Sequence, residues 1–145
     1  MTTRFERTMN RSSKRRAYAL YHDVVCHPQW VQLSVYSKLI WIEIGLDYHP
    51  NKFGKGCGNN GWLTCVYNEL IQKRGFKSRS TIKKSLVELE WFGFIEKTFP
   101  GQFPKEPARY ALTHLDYDQH PDNKVMAKKA PHTYKEHTGE PYPKH

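Results

Sequence analysis

The chain has 145 residues, close to the size of one domain, which excludes two large domains. Lys and Arg number 23 against 14 Asp and Glu, a formal charge of +9, and this balance favours a polyanionic partner, nucleic acid or an anionic membrane surface, over an acidic mimic. The longest apolar stretch, Leu39 to Leu46, is broken by Glu43 and falls far short of the roughly 20 residues that span a bilayer, so no transmembrane helix is expected.

Four Trp, nine Tyr and seven Phe lift a hydrophobic fraction of 38%, so a core is feasible although small. The N-terminus has no secretory apolar region, and three cysteines, Cys26, Cys57 and Cys65, cannot all pair within one chain; a reducing cytoplasm is the expected location. The Arg- and Ser-rich stretch to Leu20 also fits a mitochondrial transit peptide.

The basicity is local. Residues 1–16 carry six bases (Arg4, Arg7, Arg11, Lys14, Arg15, Arg16) and one acid, residues 17–113 twelve and eight, and residues 114–145 five and five. Lys73 to Lys84 holds six bases in twelve residues with no acid, the strongest electrostatic feature of the chain. The residues from His114 onward hold five of eight His and four of nine Pro with few aliphatics, which predicts a flexible or loosely docked tail. The expected organisation is a basic arm over 1–16, a domain over 17–118 and a His- and Pro-rich tail over 119–145.

In chain order, a short helix or turn is expected near Ala17 to Val25, ending before Pro28, with Trp30 and Leu33 leading into the core. Ser34 is a plausible N-cap for a central helix to about Tyr48, with Val35, Leu39, Ile42 and Leu46 on its inward face and Tyr36, Ile40 and Ile44 widening it. Asn51 to Gly61, with four glycines and the pair Asn59 and Asn60, reads as a loop. Trp62 to Thr64 predicts a very short strand. Thr64 then caps a helix turning Val66 and Leu70, and also Tyr67 and Ile71, inward, with Gly75 as its C′ glycine. Ser78 or Ser80 caps the next helix, where Ile82, Leu86 and Leu89 recur at i, i+4 and i+7 before a stop at Gly93. Phe94 to Thr98 and Arg109 to Thr113 read as a hairpin with Tyr110 and Leu112 on one face and an irregular connection through Pro104 and Pro107.

This order predicts an α+β fold, mainly α: a winged helix-turn-helix with a two- or three-stranded wing sheet. The runs Asn59-Asn60-Gly61-Trp62-Leu63-Thr64, Gly75 to Ile82, Glu88 to Ile95 and Arg109-Tyr110-Ala111-Leu112-Thr113 resemble small bacterial winged-helix proteins carried on prophages and plasmids. The resemblance covers about residues 20–118 and implies a DNA-binding module of the replication-initiator or regulator type; it does not extend to the arm or the tail.

In a helix-turn-helix the second helix presents its N-terminal residues to base edges in the major groove while flanking bases hold phosphates. A recognition helix over about 78–92 turns Arg79, Ser80, Lys83 and Lys84 outward. Arg79 is a candidate for a bidentate guanine contact, Ser78, Ser80 or Thr81 for the helix start and a base or phosphate, and Lys73, Arg74 and Lys77 for the backbone. Lys97, Lys105 and Arg109 supply wing contacts, and the arm suits phosphates or a minor groove. The competing explanation for such a run is a solvated helix face. Against it, bases come first and Glu88 and Glu90 last, the reverse of what the helix dipole and the i,i+4 preference favour.

Chemical motifs are weak. Gly56 to Gly61 matches G-x-G-x-x-G, but a strand follows it and no acid lies twenty residues on; no P-loop occurs. His132 and His137 have finger-like spacing without a preceding Cys pair, and Cys57 and Cys65 with nearby histidines fit no common zinc pattern. Asp116, Asp118 and Asp122 cluster only in the tail. No enzyme, metal or cofactor is expected. Double-stranded DNA is the expected partner, with no membrane; RNA shares the phosphate chemistry. The alternative is a module or inhibitor docking on a host protein through Trp30, Trp41, Trp91 or Tyr48, with the winged helix as scaffold. A regulator of this size is expected to need two copies or paired sites for specificity.

Overall fold

The structure, a computed structural model, describes residues 15–102 and 105–136. Among them the chain forms five α-helices, a three-stranded antiparallel sheet and one 3₁₀ turn, an α+β arrangement. Arm residues 1–14, with Arg4, Arg7, Arg11 and Lys14, and the tail from His137 lie outside the described residues.

The short helix expected before Pro28 is α1 (His22–Val25), and a second short helix, α2 (Pro28–Gln32), follows it. Proline suits the first helical position, where its missing N–H is no loss, and the His27 ring caps the new helix by accepting from Gln29 N at 3.2 Å. Trp30 and Leu33 enter the core as expected.

Helix α3 (Val35–Leu46) starts at Ser34, whose hydroxyl accepts from Ser37 N at 3.2 Å. Its inward face matches the expected one at Ile40 and Ile44 and differs elsewhere. Ser37, Ile40, Trp41, Ile44 and Gly45 are buried, whereas Val35, Tyr36, Leu39 and Leu46 are exposed and Ile42 is half-buried. The helix carries two apolar stripes, and bulk on one side with small residues for close approach selects the buried one. Trp41 packs edge-on against Trp30 at 4.9 Å, while Ser37 donates to Ser85 O at 3.4 Å where α3 meets α5.

The loop to Gly61 has positive φ at Gly54, Gly56 and Gly61, but Asn59 and Asn60 are buried and do other work. Asn59 accepts from His49 N and donates to Asp47 O, closing the loop on the end of α3. Asn60 reaches into the hinge after β3, described below.

Strand β1 (Leu63–Thr64) precedes α4 (Tyr67–Lys73). Thr64 does not cap this helix: its N–H and hydroxyl both bond to Asp47 Oδ2, and Val66 occupies the N-cap without a side-chain bond. Val66 is therefore exposed, Leu70 is buried, and Tyr67 and Ile71 are half-buried. Gly75 ends α4 at φ 83°, and Phe76 N returns to Leu70 O.

Helix α5 (Arg79–Trp91) begins at Ser78, which accepts from Thr81 N at 3.3 Å, and buries Ile82, Ser85, Leu86 and Leu89. Gly93 stops it at φ 83°. A Cβ there would lie 2.7 Å from the Thr133 carbonyl carbon. Gly93→Ala combines positive φ with a backbone clash, so urea denaturation is expected to show a loss of about 2 kcal/mol or more.

Strands β2 (Ile95–Phe99) and β3 (Arg109–Leu112) pair antiparallel, with β3 central in the order β1-β3-β2. Leu63 and Lys97 both face Tyr110, and Ile95 faces Leu112, on the helix side. The expectation for Tyr110 and Leu112 holds, but Ala111, on the opposite face, is buried as well.

What covers that second face is the segment expected to be loose. Tyr117 and Val125 pack on Ala111 with Trp62 against them, and Tyr117 exchanges backbone bonds with Lys128. The Tyr117 hydroxyl donates to Glu96 Oε1 at 2.6 Å. Further on, Tyr134, in the 3₁₀ turn Thr133–Glu136, is fully buried and stacks on Phe94 at 4.9 Å and 9°. The packed body thus runs to Glu136 instead of ending near 118; low aliphatic content was offset by a few well-placed aromatics.

Candidate nucleic-acid interface

Successive residues of α5 advance by about 100°, so Arg79, Ser80, Lys83 and Lys84 share an arc of about 140° opposite the buried Ile82, Ser85 and Leu89. All four are exposed, as are Lys73 and Lys77 in the approach to the helix. Among the described residues, no acid lies within ion-pair distance of Lys73, Lys77, Lys83 or Lys84. The core-facing spacing of one stripe thereby projects the other, basic stripe into solvent.

Arg79 is held rather than free. Its Nη1 donates to Asn68 Oδ1 at 2.8 Å and its guanidinium sits 5.0 Å from the Tyr67 ring centroid. Both partners are on α4, so the side chain ties the two helices and is presented in one orientation. Asn68 had no signal in the sequence, since an exposed Asn in a helix is unremarkable until its neighbour across the turn is known.

Four of the expected contact residues have other work. Arg74 pairs with Glu43 of α3, its Nε 3.0 Å from both carboxylate oxygens, and the shared hydrogen bond raises its already high pKa. Ser78 spends its hydroxyl on the N-cap, and Thr81, half-buried, donates its N–H to that cap. Arg109 lies half-buried with its guanidinium 4.8 Å from the Trp62 ring centroid and Nη1 donating to Trp62 O; burial lowers its pKa. Lys97 and Lys105 are exposed. Lys97 lies near enough to the half-buried Glu90 to oppose the upward push of burial on that carboxyl.

The reversed charge order along α5 is explained in its acidic half. Glu88 Oε1 accepts from Ser34 N at 2.8 Å, so it secures the start of α3 and leaves Lys84 without an ion pair. In the basic half Arg79 ties α5 to α4, whereas Lys83 and Lys84 make no ion pair among the described residues. Arg15 is exposed, and Arg16 donates to Tyr48 O at 2.9 Å, at the end of α3.

The aromatic docking surface is corrected. Trp30 and Trp41 are core residues, and Trp91 and Tyr48 are half-buried. Among the described residues no three His, Cys, Asp or Glu side chains are grouped to hold a metal, and no helix is long and apolar enough to cross a membrane. Compared with family models, with curated proteins and with solved structures, the chain has no significant match.

Proposed function

We propose that the chain is a winged-helix DNA-binding protein in which α3, α4 and α5 form the helical unit, α5 enters the major groove and β2–β3 form the wing. The reading is supported by the chain order of helix, strand, two helices and hairpin with a β1-β3-β2 sheet. The observation that carries it is the exposed, unpaired basic stripe on the N-terminal half of α5 and the turn before it. Lys77, Lys83 and Lys84 hold phosphates, Lys73 adds a flanking contact, and Arg79, fixed by Asn68 and Tyr67, faces base edges with Ser80. Lys97 and Lys105 add wing contacts. The resemblance to prophage and plasmid proteins supports a role in transcription or replication of a mobile element, in the cytoplasm and without a catalytic step.

Lys73, Lys77, Lys83 and Lys84 with one wing lysine neutralise about five phosphates, so the log–log salt slope of duplex binding is expected to be about −4 to −5. Fluorescence anisotropy on a random duplex between 50 and 300 mM salt, as orders of working range, reads it directly. A slope near zero would sink the proposal, and tighter binding to an RNA hairpin would redirect it to RNA.

A second reading, a protein-docking module, is favoured by one observation: Val35, Leu39 and Leu46 form an exposed apolar strip on α3. Leu39→Asp would abolish capture of a protein partner while leaving duplex binding intact.

A further inference from the structure

Helix α5 leaves one large apolar side chain in solvent. Ile82, Leu86 and Leu89 are buried and Trp91 is half-buried, whereas Val87 is 48% exposed. A β-branched residue gives up side-chain freedom in a helix and ranks below Ala, Lys or Glu there, so a valine at an exposed helical position gains little for folding.

Its place on the helix is specific. At about 100° per residue, Val87 stands about 20° from Ser80, about 40° from Lys83 and about 60° from Lys84, within about 10° of the midline of the basic arc. A helix lying in the major groove reads bases with residues at i, i+3, i+4 and i+7, the spacing of Ser80, Lys83, Lys84 and Val87. Lys83 and Lys84 flank Val87 on either side and are long enough to turn out to phosphates. Ser80 and Val87 are short and near the midline, so they face the groove floor. Seven residues of helix rise about 10.5 Å, about three base pairs at about 3.4 Å each, which sets the distance between the bases that the two address.

The chemistry of the side chain narrows the base. Valine neither donates nor accepts a hydrogen bond. In the major groove adenine, guanine and cytosine present polar edges, while thymine adds a C5 methyl group. Because Val takes one dominant rotamer in a helix, its two γ methyls are held in place before contact and little freedom is lost in making it.

We propose that Val87 is a specificity-determining residue that packs its methyl groups on the C5 methyl of a thymine, about three base pairs from the base edge faced by Arg79 and Ser80. The inference rests on the reading of α5 as the groove-binding helix and adds the base that its middle turn selects. Lys83 and Lys84 hold the phosphates on either side and carry no base preference.

Anisotropy of the full chain on an alternating d(A-T) duplex, and on the same duplex with deoxyuridine in place of every thymidine, tests the proposal. The exchange removes every C5 methyl and leaves each hydrogen-bonding edge as it was. The native chain is expected to bind the thymine duplex about fourfold more tightly, the value of burying one methyl-sized group. In Val87→Ser the ratio is expected to fall to about one, and in Val87→Ile to stay at about fourfold or rise. Thermal melts report the folding of each variant; should Val87→Ser not fold, Val87→Gln, a stronger helix former, takes its place with the same expected ratio. Equal binding of the two duplexes by the native chain, or a thymine preference that persists in the folded polar variant, would overturn the contact while leaving α5 as the duplex-binding helix. No binding of either duplex by the native chain would overturn that reading and the thymine contact with it.

Discussion

Asn60→Asp is expected to cost about 4 kcal/mol or more, enough to unfold much of the protein at room temperature given typical stabilities of about 5–15 kcal/mol. Asn60 is 1% exposed. Its Nδ2 points at three carbonyls, Leu112 O at 3.0 Å, Leu115 O at 3.2 Å and Asp116 O at 3.0 Å, and its Oδ1 accepts from Leu112 N at 2.7 Å. One amide therefore satisfies the backbone where β3 ends and the chain turns to cover the sheet. An aspartate of the same shape replaces the donor with an oxygen facing three oxygens, where the bonding partners among the described residues are all backbone groups. Asn60→Ala removes the bonds without adding the charge and is expected to cost less, about 2–3 kcal/mol. Urea denaturation ranks the two variants; an aspartate milder than the alanine would show that this amide does not hold the turn.

Tyr134→Ala is expected to cost about 3–5 kcal/mol, in the range of large aromatic truncations in a core. The ring is 0% exposed, stacks on Phe94 and meets the His27 ring edge-on at 5.1 Å. Because those partners join α2, the sheet and the end of α5, its loss loosens residues 114–136 as a unit. Amide exchange is expected to accelerate there first. Tyr134→Phe is expected to be nearly neutral, since among the described residues the hydroxyl meets only His132 Nδ1, at 3.3 Å. Equal effects of the two substitutions would show that the hydroxyl, not the ring, anchors the segment.

Residue patterns located most elements and failed where two patterns competed. Helix α5 was legible because Ile82, Leu86 and Leu89 make one stripe and its other faces are polar. Helix α3 and its Ser34 cap were legible and Ile40 and Ile44 face inward as expected, but Val35, Leu39 and Leu46 were placed on the wrong side because the helix carries two stripes, and only the fit of Trp41 against Trp30 and of Ser37 against Ser85 decides between them. The tail was misjudged because sparse aliphatics conceal Tyr117, Val125 and Tyr134, each of which finds its partner through distant chain. At the candidate site, the exposure of the bases followed from the helical period. The diversion of Arg74 to Glu43, 31 residues away, and of Glu88 to Ser34, 54 residues away, did not, because long-range pairing leaves no local trace.

The central claim is that the basic stripe of α5 and its preceding turn holds a DNA duplex. Lys77, Lys83 and Lys84 are the residues to remove together, because they are exposed and make no ion pair among the described residues, whereas Arg79 also bonds Asn68. The most direct measurement is duplex anisotropy of the Lys77→Ala/Lys83→Ala/Lys84→Ala protein beside the native chain over a salt series, with thermal melts of both. The account predicts an unchanged melt, a salt slope shallower by about 3 and affinity reduced across all sequences. Native-like affinity and slope in the folded triple variant would contradict it.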